Sequence, residues 1–127
     1  MRYVSTPLYQ LKAEFFKTLG HPARIRVLEL LANGPRSVQD MLAVIEIEPS
    51  NLSQQLGVLR RSGIVTATRT GSTVVYALAC GDTAELMGAA RRILTELLAG
   101  QNELLAELRT EQPDVSGAGV SRSAAAS

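Results

Sequence analysis

Residues 49–78 read PSNLSQQLGVLRRSGIVTATRTGSTVVYAL, and this stretch decides the fold. Its first half has helical spacing: at about 100° per residue, Leu52, Leu56 and Leu59 share one face. Pro49 suits a helix start and Gly63 a C-terminal stop, so the pattern predicts a helix from about Pro49 to Ser62. The period then changes. Residues 64–69 and 72–78 are rich in β-branched side chains, with Thr70-Gly71 between them, which predicts a β-hairpin.

Upstream, Thr6-Pro7 reads as an N-cap followed by a first-turn proline. Leu8, Leu11, Phe15 and Leu19 recur at helical spacing, and Gly20 ends that helix. His21-Pro22 starts a second helix with Ile25, Leu28 and Leu31 as its apolar side, and Asn33-Gly34-Pro35 stops it. Ser37-Val38-Gln39-Asp40 resembles a capping box before a short third helix with Met41, Leu42 and Ile45. Residues 46–49 then form a turn. Downstream of the hairpin, Asp82-Thr83-Ala84-Glu85 is a second capping-box-like start. The helix it opens carries Leu86, Ala90, Ile93, Leu94, Leu97, Leu98, Leu104, Leu105 and Leu108, and should end near Thr110, before Pro113.

The expected order is α-α-α-α-β-β-α, mainly α with a β-hairpin. Two short helices, a tight turn, a longer helix and a hairpin make a winged helix-turn-helix. The competing reading is a helical domain with an unrelated hairpin. Residues 1–6 are expected to be a flexible arm, 7–110 the winged domain with its dimerisation helices, and 111–127, rich in Gly, Ala and Ser, a disordered tail.

At 127 residues, 46% hydrophobic and 20% charged, the chain suits one globular domain. No apolar run approaches the roughly 20 residues that span a bilayer, and the N-terminus has no signal-peptide pattern. A cytoplasmic protein without membrane contact is expected. One cysteine, Cys80, and one histidine, His21, exclude an internal disulfide and a zinc finger within one chain. Aromatics at 4%, with no tryptophan, argue against a stacking platform for single strands. With one histidine, no glycine-rich phosphate loop and no GxSxG, an enzyme is not expected and no catalytic residue is assigned.

Charge is placed unevenly. Residues 49–79 carry Arg60, Arg61 and Arg69 and no acid, while residues 80–115 carry three arginines against seven acids. The acid-free stretch can approach a polyanion without repulsion. Within it, the face opposite the leucines holds Ser50, Ser53, Gln54, Gly57 and Arg61, with Asn51 and Gln55 at its borders. Asn and Gln can pair bidentately with adenine in the major groove, and Ser with several bases. Gly57 lets the backbone pass close to a phosphate, and Arg60 and Arg61 suit phosphate contacts that set register. The hairpin tip, with Arg69 and Ser72, suits the minor groove or the backbone. The bland alternatives are a merely polar helix face and an ordinary exposed turn. Tyr76 reads as core.

The run His21-Pro22-Ala23-Arg24-Ile25-Arg26-Val27-Leu28-Glu29-Leu30-Leu31 resembles the second-helix signature of the ArsR/SmtB family of bacterial repressors. Residues 50–65 resemble that family's recognition helix and its exit into the wing, and residues 69–78 fit its wing. The resemblance covers about residues 8–108. It implies a homodimeric regulator of double-stranded DNA, usually a repressor released by a signal. Ser50, Asn51, Ser53, Gln54 and Gln55 would then face the major groove. The family's common histidine in this helix is Gln55 here, so a different operator sequence is expected.

A dimer also has a physical argument. Leu94, Leu97, Leu98, Leu104, Leu105 and Leu108 expose an apolar stripe on a helix too long for one small domain to cover. Pairing with its symmetry mate and with the first helix, at Leu11 and Phe15, would bury it, unless the helix folds back on its own domain. A two-fold dimer calls for an inverted-repeat operator with half-sites about 10 bp apart. The sensing element departs from the family. No cysteine lies between Gln39 and Val44, and residues 82–110 hold Asp82 and Glu85 but no histidine, so no metal ligand is assigned. The alternatives are zinc or nickel at a non-standard site using His21, Cys80, Asp82, Glu85 or the N-terminal tail, and a response that depends on a protein partner at the long helix. His21 reads instead as a helix cap or interhelical bond, and Cys80 as a small residue at least partly buried.

Overall fold

The computed structural model describes residues 5–111. Residues 1–4 and 112–127, which hold most of the expected arm and tail, lie outside the described residues. The order is α1 (Leu8–Leu19), α2 (Pro22–Leu31), β1 (Arg36–Ser37), α3 (Val38–Leu42), α4 (Pro49–Arg61), β2 (Val65–Thr70), β3 (Thr73–Leu78) and α5 (Asp82–Glu111). The chain divides into two units after Met87.

Helix boundaries follow local chemistry. Pro7, not Thr6, occupies the N-cap position of α1, and its carbonyl accepts from the amides of Gln10 and Leu11. His21 caps α2: its Nδ1 accepts from the Ala23 amide at 3.1 Å, so the ring serves a helix end. Ser37 Oγ accepts from the Asp40 amide at 3.1 Å and caps α3, which stops at Leu42 and leaves Ile45 in the following turn. The end of α4 is a Schellman motif. The Ile64 amide donates to Leu59 O, the Gly63 amide donates to Arg60 O, and Gly63 adopts φ +78°. Ile64 follows, buried, and turns the chain from recognition helix into wing.

The core of the first unit forms where these elements meet. Leu52, Leu56 and Leu59 of α4 are buried with Val27, Leu28, Leu30 and Leu31 of α2, Met41 of α3, Leu19 of α1, and Ile64 and Val65 at the hairpin base. Each such side chain contributes about 1.5–3 kcal/mol relative to exposure. Tyr76, Leu86 and Met87 pack partly against this cluster. Helix α2 buries more than the Ile25–Leu28–Leu31 line expected from spacing, because Val27 and Leu30 are also covered.

The sheet has three antiparallel strands in the order β1-β3-β2. Thr70 pairs with Thr73, so the hairpin turn is Gly71-Ser72 rather than Thr70-Gly71. Gly71 has φ +65° and Ser72 a negative φ, the pattern of a type II′ turn. The third strand was not legible in the sequence. Two residues carry no alternation, yet Arg36 pairs with Tyr76 and Ser37 with Val75. That pairing fixes the start of α3 against the wing.

In the second unit, α5 continues as one unbroken helix to Glu111, a residue past the expected end. Ile93, Leu94, Leu97, Leu98, Leu104, Leu105 and Leu108 are all exposed on it. No helix among the described residues is long and apolar enough to cross a membrane.

The Schellman turn gives a stability prediction. Gly63→Ala should cost about 1–2 kcal/mol in urea denaturation, because a side chain strains the left-handed backbone. Gly81→Ala, at ordinary φ and in open space, should change stability by less than about 0.5 kcal/mol.

Candidate nucleic-acid interface

Helix α4 buries its leucines, and that choice dictates what it exposes. Ser50, Asn51, Ser53, Gln54, Arg60 and Arg61 are all exposed, as are Arg69 and Ser72 at the wing tip. The result is a row of neutral hydrogen-bonding groups near the helix N-terminus, with cations in its last turn. Among the described residues none of these arginines is paired with a carboxylate. The cations of α4 sit near its C-terminal dipole, where positive charge is favoured.

Gln55 departs from the sequence reading. It was expected to face the groove, but it is only 5% exposed. Its Oε1 accepts from Arg24 Nε at 2.8 Å, and its Nε2 donates to Asn51 Oδ1 at 2.8 Å. The reason is position: Gln55 adjoins Leu56 and lies toward α2, where Arg24 reaches it. Arg24 also donates from Nη1 to Thr18 O at 2.8 Å. That carbonyl belongs to the last turn of α1, where intrahelical donors run out. One guanidinium therefore joins the end of α1, the start of α2 and the middle of α4.

Gly57 also makes room for a side chain of its own helix. The space beside it is occupied by Arg61, whose Nη1 would lie 3.1 Å from a Cβ at residue 57. The glycine lets the guanidinium lie back along the helix.

Between the wing and α3 lies an open cleft of about 220 Å³ lined by Ser37, Val38, Gln39, Ser72, Thr73 and Val74. It is smaller than the roughly 300–1,000 Å³ of ordinary ligand pockets and holds no titratable group. Its polar lining is three hydroxyls and one amide. Sequence reading missed it because Ser37 and Gln39 are brought to the wing by contacts some forty residues distant in sequence, which local patterns do not show.

The residues expected at a dimer interface divide. Leu94, Leu97, Leu98, Leu104 and Leu105 are exposed. Leu11 and Phe15 are half-buried, and Phe15 packs against the core of its own unit. Leu8, Tyr9 and Phe16 are the exposed apolar groups of α1; of these the sequence reading named only Leu8, as part of the helical spacing and not of the interface. Cys80 is exposed, not partly buried, since it follows the last strand residue into the α5 turn. Among the described residues no group of three or more His, Cys, Asp or Glu side chains is placed to hold a metal ion.

A polar recognition face, a basic helix end and an adjoining wing define a winged helix-turn-helix DNA-binding protein. The comparisons with known proteins agree. Residues 21–67 match the family model for bacterial regulatory proteins of the arsR family. The HTH-type transcriptional regulator Rv0081 of Mycobacterium tuberculosis is 55% identical over 106 residues, spanning 83% of this chain and 93% of that protein. Its crystal structure superposes with a TM-score of 0.68 at 56% identity, covering 76% of this chain and 98% of that one. The transcriptional repressor BigR from Xylella fastidiosa gives 0.64 at 39% identity, over 67% of this chain and 87% of that one. A homodimeric winged helix-turn-helix DNA-binding domain from Mycobacterium bovis gives 0.64 at 30% identity, over 72% and 84%. The chain belongs to the ArsR family, and it is a transcriptional regulator rather than an enzyme.

The Arg24 junction can be tested directly. Arg24→Met removes the donors to Gln55 Oε1 and Thr18 O and should cost about 1–3 kcal/mol in urea denaturation. Arg26→Ala breaks only the exposed pair with Glu29, seen at 3.4 Å, and should cost less than about 0.5 kcal/mol.

Proposed function

We propose that this regulator is a cytoplasmic homodimeric repressor that binds an inverted-repeat operator through α4 and the wing. The observation that carries the reading is the composition of the exposed face of α4. It presents Ser50, Asn51, Ser53 and Gln54 for base edges, then Arg60 and Arg61 for phosphates. A solvated surface helix would more typically carry Glu and Lys. In this reading Arg69 and Ser72 hold the flanking backbone, and the cleft by Ser37 and Gln39 receives a phosphate strand. Base contacts specify while phosphate contacts position.

Helix α5 supplies the surface for the second copy. Its apolar stripe is symmetrical about Gln101: Leu98 and Leu104 lie three residues away, Leu97 and Leu105 four, and Leu94 and Leu108 seven. A second copy related by a two-fold axis through Gln101 meets the same pattern running the opposite way. A self-complementary surface is what an isologous interface requires. The exposed Leu8, Tyr9 and Phe16 of α1 offer further apolar surface for a second copy to cover. The repressor names of BigR and of the 44%-identical biofilm growth-associated repressor of Agrobacterium fabrum favour repression over activation.

Fluorescence anisotropy tests the reading. A labelled duplex from the region upstream of the protein's own gene should bind far more tightly than a scrambled duplex. Gln54→Ala should weaken specific binding by about 5- to 150-fold, the worth of a bidentate base contact. Arg61→Ala should weaken both duplexes and lower the salt slope by about 1. Equal binding of both duplexes by the unaltered protein would overturn the reading. For the dimer, Leu97→Glu with Leu104→Glu should convert a two-chain species to single chains in sedimentation velocity. Unchanged mass would contradict the assignment of α5.

A further inference from the structure

Arg24 carries only donors, and its guanidinium has no accepting atom. It donates from Nε to Gln55, at 2.8 Å, while Nη1 is held by Thr18 O, also at 2.8 Å. Gln55 is 5% exposed, so its amide has no solvent alternative. The oxygen of that amide must therefore face Arg24, and the nitrogen must face the other way. There it meets Asn51 at 2.8 Å. A nitrogen donor requires an oxygen acceptor, so Asn51 in turn points Oδ1 back at Gln55. Its Nδ2, with two N–H donors, is the end left toward the exposed surface. An asparagine amide ordinarily can flip to suit its target. Here a donor-only cation two links away removes that choice.

We infer that Arg24 sets, through Gln55, the hydrogen-bonding sense of Asn51, so that α4 selects a base with an acceptor on its major-groove edge at that position. This rests on the DNA-binding reading above and adds which chemistry one side chain reads. The major-groove edge of cytosine offers only the N4 amino donor, whereas guanine offers N7 and O6 and thymine offers O4. Guanine or thymine is favoured opposite Asn51 and cytosine is rejected. Adenine, with both an acceptor and a donor, discriminates least. Arg24 and Gln55 are positioning residues: neither touches DNA in this account.

The test inverts the relay without removing it. In Gln55→Glu the carboxylate accepts from Arg24 on one oxygen and from Asn51 Nδ2 on the other. Asn51 then turns Oδ1 outward and presents an acceptor. Selection of bound duplexes from a pool randomised over one half-site, read for both proteins, gives the result. The unaltered protein should disfavour cytosine by roughly tenfold at one position, and the variant should favour cytosine over guanine there by a similar factor. A variant that binds with unchanged base preference would overturn the inference while leaving the DNA-binding reading intact. Failure of the unaltered protein to enrich any sequence would overturn both. A merely structural role for Arg24 or Gln55 predicts weaker binding with the same preference. Side-chain amide hydrogen exchange of the unaltered protein decides the matter if the variant does not fold. The Gln55 Nε2 protons should exchange at least tenfold more slowly than those of Asn51 Nδ2, and equal rates would contradict the relay.

Discussion

The guanidinium of Arg24 is the junction on which the DNA-binding unit depends. It satisfies a carbonyl that the end of α1 leaves open, sits in the first turn of α2, and anchors a buried amide in the middle of α4. No carboxylate accompanies it in these contacts. The charge is met by neutral oxygens, so the recognition helix gains an anchor without placing an acid near a surface that meets phosphate. Among the described residues no buried side-chain nitrogen or oxygen lacks a partner. A buried polar network of this kind stabilises only when complete, because each orphaned group costs about as much as the bond gained.

Much of the fold was legible in the sequence, and the reasons are local. Leu52, Leu56 and Leu59 at helical spacing, Gly63 as a stop and the β-branched runs after it each express short-range physics. The same holds for His21 before Pro22 and Ser37 before α3, where capping side chains mark helix starts. What escaped was non-local. β1 exists only because Arg36 and Ser37 meet β3 some forty residues later. Helical angle placed Gln55 only at the border of the outward face and the family resemblance turned it toward the groove, but a border residue can turn either way. A partner 31 residues distant in sequence decided it. Helical spacing alone does not separate Arg24 from Arg26, whose guanidinium stays exposed beside Glu29.

The candidate surface divides between rigid and adaptable parts. Asn51 is held from behind, while Ser50, Ser53 and Gln54 are exposed on the same helix without such an anchor. Arg61 lies against Gly57 and can swing from there to a phosphate at little cost, since only the far end of a flexible side chain moves. Separating positioned readers from mobile phosphate contacts fits the division of labour between sequence recognition and electrostatic attraction. The two units serve different ends. One presents α4 and the wing, and the other carries an apolar stripe whose symmetry about Gln101 calls for a second copy.

The central claim is that two copies of α4 read double-stranded DNA together. Hydroxyl-radical footprinting of the unaltered protein on a duplex it binds tests this most directly. The account predicts two protected patches related by a dyad, about 10 bp apart from centre to centre, as two recognition helices in successive major grooves require. A single patch, or uniform protection without a dyad, would contradict it.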